Sequence, residues 1–195
     1  MIKIKEIKVR EILNSEGKEA LEVEMVTTDN RKSIASSPSA IIPGRKEVLT
    51  TNHIHTNILN QMIEEIYRRE FKSQGNFDNF LNQYMEKLGT NVCLPFSLAY
   101  ARMCAKNQDM TLVEYIRKIA NYHVKNPSPI PLVAIFSGGI HNQEEKGSIQ
   151  NIMIAVDIHP FSKSVPVITK FYTEIENKVK EKNVLKYYGA SSGMI

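Results

Sequence analysis

The side-chain period of this chain changes twice, and the order of the changes limits the folds open to it. Up to about residue 37 the period is two. Ile2, Ile4, Ile7 and Val9 make a broken alternation, and Leu21, Val23 and Met25 alternate cleanly with Glu22 and Glu24. A period of two puts successive side chains on opposite faces of a strand. Asn14-Ser15-Glu16-Gly17 and Asp29-Asn30 have turn chemistry, and Lys32 to Ser36 reads as a third strand. The expectation is a three-stranded antiparallel meander.

Pro38 to Gly44 reads as a loop, and beyond it the period becomes 3.6. Ile54, Ile58, Met62 and Ile66 fall on one helical stripe. Phe77, Phe80, Leu81, Tyr84 and Leu88 fall on another. Val92 to Lys106 is apolar nearly all round, which suits a central buried helix with Pro95 in its first turn. Thr111-Leu112-Val113-Glu114 is a capping box opening a helix that carries Leu112, Tyr115, Ile116 and Ile119.

Asn126-Pro127-Ser128-Pro129 is linker-like, and after it the strand pattern returns. Ile130 to Phe136 and Ile149 to Ile158 are apolar on both faces, as in strands buried inside a larger sheet. A last helix is expected from Ser164, with Val165, Ile168, Tyr172, Ile175 and Val179 as its core stripe and Gly189 as its C-cap. The fold class is therefore α+β. A three-stranded meander is followed by a helical bundle, and then by a ββα fragment of an incomplete barrel. Domains are expected at 1–125 and 129–195.

The 25 basic and 21 acidic residues leave a net charge of +4, spread along the chain. That is no footprint for nucleic acid. No apolar run is long enough for a membrane span, and the N-terminus lacks the apolar stretch of a signal peptide. Cys93 and Cys104 would lie about 16 Å apart along one helix, too far for a disulfide. Reduced thiols without a targeting signal point to the cytoplasm.

Six stretches, taken in order, resemble the N-terminal half of the enolase (phosphopyruvate hydratase) family. They are Arg10 to Gly17 with Leu21 to Glu24; Pro38-Ser39 with Gly44 and Glu47; Lys87-Leu88-Gly89 with Ser97-Leu98-Ala99; Ile130-Pro131 leading to Gly138-Gly139-Ile140-His141; Gln150 with Met153-Ile154; and Lys186 to Gly193. The resemblance implies a β3α4 capping domain followed by the opening ββα of an eight-stranded barrel. Such a barrel needs roughly 250 residues, far more than residues 129–195 supply. In the family the remaining part carries the Mg²⁺-binding carboxylates and the lysine base.

The resemblance also implies candidate site residues. Ser39 falls where a mobile loop supplies a serine to Mg²⁺. His141 falls on a histidine near the substrate, and Gln150 on the glutamine of a Gln-Glu pair. The glutamate of that pair is the family's general acid, and Asn151 stands in its place. An amide gives up no proton at neutral pH. Loop residues that are small and polar in the family are here Ala40-Ile41-Ile42-Pro43. Arg10 matches a family dimer-contact arginine, whereas Glu16 reverses the charge of another. The simpler readings are a turn serine, a solvated loop histidine and cross-strand amides. His53, His55 and His123 have no spacing that supports zinc.

Three functions follow as expectations. In the first, the chain is enolase-like, inactive alone, and acts as a binding and assembly module. Its partner is a second copy or a separate chain carrying the remaining barrel, met through the strands that hold Ile154 and Val156. In the second, it is one subunit of a split enolase that converts 2-phosphoglycerate to phosphoenolpyruvate. In the third, it is a small α+β domain whose resemblance is ancestral only. No cofactor is expected for the isolated chain, and Mg²⁺ only after completion by a barrel half.

Overall fold

The computed structural model describes residues 2–14, 17–37, 55–123, 129–138, 149–185, 188 and 193–194. The chain divides into two compact units, Met1–His123 and Val124–Ile195.

The first unit opens with the antiparallel meander: β1 (Ile4–Leu13), β2 (Glu19–Thr27) and β3 (Lys32–Ser36), in the order β1-β2-β3. Its turns use the residues that tolerate a left-handed backbone, Gly17 at φ 70° and Asn30 at φ 62°. Leu21, Val23 and Met25 of β2 are buried against helices, as their alternation requires.

Five helices follow: α1 (Thr56–Arg68), α2 (Gln74–Asn82), α3 (Met85–Leu88), α4 (Thr90–Asn107) and α5 (Leu112–Ile119). Met62 and Ile66 carry the buried face of α1. The stripe from Phe77 to Leu88 is buried throughout, but two short helices share it, with a turn at Gln83 and Tyr84. Phe77 stacks on Tyr100 with centroids 4.2 Å apart, and Phe71 meets Phe77 edge-on at 4.9 Å. Such pairs add roughly 0.5–1.5 kcal/mol each beyond their burial.

α4 is the central helix, with Val92, Cys93, Phe96, Ala99, Tyr100, Met103 and Cys104 buried. It starts at Thr90, so Pro95 lies in its second turn and not its first. Gly89, at φ 76°, turns the chain out of α3 and into α4, which starts the helix earlier than the proline suggested. Both cysteines are free and buried, and burial pushes the Cys93 thiol up to about 11. α5 opens with the Thr111–Glu114 capping box, both of its hydrogen bonds present. Only Tyr115 of α5 is fully buried. Ile116 and Ile119 are about half exposed.

In the second unit β4 (Leu132–Ser137) pairs antiparallel with β5 (Asn151–Ala155). The register shifts at Ile135, between the pairs Ala134↔Met153 and Phe136↔Ile152. The bulge turns the buried Ile135 toward another neighbour. Its carbonyl accepts from the Met194 N–H at 2.8 Å, and the Ser137 N–H donates to the Met194 carbonyl at 2.9 Å. Met194 thus bridges Phe136 in parallel sense. The strands are not buried on both faces: Leu132, Ile149, Ile152 and Met153 are exposed.

α6 (Phe161–Glu181) begins three residues before Ser164 and ends with its cap at Lys182. The expected cap, Gly189, lies outside the described residues. Ile168, Tyr172, Ile175 and Val179 are half-buried, whereas Val165 is exposed, so the core stripe is one residue shorter than expected. Ser164 is the fully buried residue here, and its hydroxyl donates to the Ile158 carbonyl at 2.8 Å. Ile168 and Tyr172 share a groove of about 470 Å³ with Leu132 and Ala134 of β4. No described helix is long and apolar enough to cross a membrane.

Candidate functional site

Polar groups gather at the C-terminal end of β4. The Ser137 hydroxyl donates to the Asn151 side-chain oxygen at 3.2 Å, across a register pair of β4 and β5. One residue on, the Gly138 N–H donates to the Gln150 carbonyl at 2.8 Å. Ser137 is buried and its backbone is tied to Met194. Gly193 fits closely behind it: a Cβ there would collide with the Ser137 hydroxyl and come within 3.0 Å of the Phe136 carbonyl carbon. The backbone of Gly193 and Met194, the end of β4 and the start of β5 are therefore held in one place.

This cluster brings together two expected residues, Gln150 and Asn151. The expected loop residues Ser39 and His141 lie outside the described residues, as does Glu16. Ser137 and the packing role of Gly193 escaped the sequence reading. The signal for Ser137 was its place as the last strand residue before Gly138-Gly139.

The donor chemistry of the cluster does not fit a Mg²⁺ site. Ser137, Gln150 and Asn151 offer neutral oxygens, whereas a hard dication in a protein draws on carboxylates. Among the described residues no group of three His, Cys, Asp or Glu is placed to hold a metal ion. What the cluster can do is accept and donate hydrogen bonds to a polar ligand. It has no described group that titrates near neutrality.

The expected interface residues divide between the units. Arg10 forks onto two carboxylates of β2, Nη1 to Glu22 at 2.9 Å and Nη2 to Glu24 at 2.7 Å. The fork raises the guanidinium pKa, and the hydrogen bond from Arg10 holds Glu24 below the usual carboxylate range. Ile154 pairs with Val133 and is half-buried, as is Val156.

The model of the family described as "Enolase, N-terminal domain" matches residues 4–116. A protein named "Enolase" from Ehrlichia ruminantium is 25% identical over 98% of this chain and 49% of its own length. Another "Enolase", from Mycobacteroides abscessus, is 26% identical over 98% of this chain and 46% of its own length. The chain spans about half the length of the curated relatives it matches.

Proposed function

The chain belongs to the enolase family through its N-terminal domain, and from that premise we propose that residues 1–195 form an enolase-like binding and assembly module without catalytic activity of its own. The observation that carries this reading is the second unit. β4 and β5 leave Leu132, Ile152 and Met153 exposed, as is Ile149 just before β5, and Met194 makes an isolated parallel bridge to Phe136. Exposed apolar strands and an open sheet edge favour a covering partner. Strands of a second copy, or of a separate chain carrying the remaining barrel, cover them. Asn151 supports the lack of activity, since its amide accepts from Ser137 and has no proton to give a leaving hydroxide. The module is a cytoplasmic pseudoenzyme whose His141 and Gln150 retain at most the binding of an acidic or phosphorylated ligand.

A second reading is favoured by the Gln150–Ser137–Met194 arrangement. The chain supplies one side of a split enolase, and another chain supplies the Mg²⁺ carboxylates and the lysine base. Light scattering and a 2-phosphoglycerate assay with Mg²⁺ separate the two. An oligomer without turnover supports the module. Turnover by the chain alone overturns it, and turnover only after a barrel half is added supports the split enzyme. A monomer at micromolar concentration removes the main support for assembly.

A further inference from the structure

β3 is the outer strand of the first unit's sheet, so among the described residues one side of its backbone has no strand beside it. Two cationic side chains of α4 lie there instead. Lys106 Nζ donates to the Lys32 carbonyl at 2.5 Å, and Arg102 Nη1 donates to the Ile34 carbonyl. Both acceptors are neutral carbonyls, and neither cation meets a carboxylate among the described residues. Lys32 adds a third charge, its ammonium reaching Glu24 only at 3.9 Å. These groups line a groove of about 520 Å³ with Ala105 and Leu112 on its helical wall. Ser33, also lining it, has a buried hydroxyl with no hydrogen-bond partner.

We propose that this edge docks a short extended peptide segment bearing two acidic side chains separated by one apolar residue. Three matches support that occupant. The segment's N–H groups can replace the cations on the Lys32 and Ile34 carbonyls, so no backbone acceptor is left unmet. Arg102 and Lys106 are then released onto carboxylates, which turns two hydrogen bonds to neutral acceptors into charge-assisted pairs. The spacing agrees as well. Side chains at i and i+2 of a strand stand about 6.8 Å apart, close to the 5–6 Å between residues one helical turn apart. The apolar residue between the acids falls on the opposite face, beside the part-exposed Ile34.

The competing role for these cations is protection of the edge against any pairing. The test uses the full chain labelled with ¹⁵N. Three capped pentapeptides, Thr-Glu-Val-Glu-Thr and its Gln and Lys counterparts, are titrated while the amide shifts of Lys32 to Ser36 are followed. Free glutarate is a fourth probe. The Glu peptide is expected to shift these amides saturably and to weaken with added salt. The Gln and Lys peptides should bind at least about tenfold more weakly. Arg102→Gln with Lys106→Gln should abolish binding while far-UV circular dichroism is unchanged, since both side chains are exposed, and Lys106→Arg should keep it. The proposal is overturned if no peptide binds at millimolar concentration, if Glu and Gln peptides bind alike, or if glutarate binds as tightly as the Glu peptide. The wild-type comparison stands whatever the double variant does.

Discussion

Gly193 lies against Ser137 so closely that no side chain fits between them. The two are far apart in sequence, and the contact holds Met194 in register with β4. Gly193→Ala forces either the serine rotamer or the backbone to move. A loss of roughly 1–3 kcal/mol is expected in the second unit, as for other overpacked sites. Amide exchange checks it. The Met194 and Ser137 amides should exchange faster, and those of β2 should not change.

Asn151→Glu tests whether one residue separates this chain from catalysis. The isolated variant should dehydrate no 2-phosphoglycerate at any Mg²⁺ concentration, because the cluster around Ser137 still lacks a metal ligand set and a base. Metal-dependent turnover above a matched blank would sink the proposed function.

A charge on β5 tests assembly. Ile154→Asp or Val156→Asp should dissociate an oligomer or unfold the second unit, since burying an unpaired carboxylate costs about 3 kcal/mol or more. If both variants keep the native oligomeric state and melting temperature, these strands face solvent and no partner covers them.

The Arg10–Glu24 pair makes the first unit sensitive to acid. The hydrogen bond from Arg10 depresses the folded pKa of Glu24 below its ordinary 4.5. A depressed carboxylate stabilises fully above its unfolded value, and that contribution disappears as pH falls through the folded value. The same sign holds for Glu65, bonded by Tyr84, and Glu114, bonded by Thr111. Stability should therefore fall below about pH 4.5, and Glu24→Gln should flatten part of that slope. Denaturant midpoints measured from pH 3 to pH 7 decide it.

Thr111→Ala removes the hydroxyl that caps α5 through the Glu114 N–H. A cost of about 1 kcal/mol is expected, with the same core retained. An unchanged denaturant midpoint would mean that α5 contributes little to the folding of the first unit.

Features that depend on near neighbours were legible in the chain. The meander follows from Leu21, Val23 and Met25 and from the turn residues Gly17 and Asn30. The capping box at Thr111 and the buried stripe from Phe77 to Leu88 read directly as well. Misreadings came where a distant contact or a broken helix decided the outcome. Pro95 marked the helix but not its start, because the positive φ of Gly89 set that. Val165 has the right period for a core, but among the described residues no packed surface covers it fully.

Sequence by itself determined the order of strands and helices, because hydrophobic period, caps and turns act over a few residues. It also carried the kinship with enolases. Tertiary structure alone decided which distant groups meet. Met194 returns to β4 through the bulge at Ile135, and Ser137 faces Asn151 across the hairpin. Arg102 and Lys106 lie on the edge of β3 although about 70 residues separate them from it in sequence. No local pattern encodes such meetings, because they depend on how whole elements pack and not on the residues beside them.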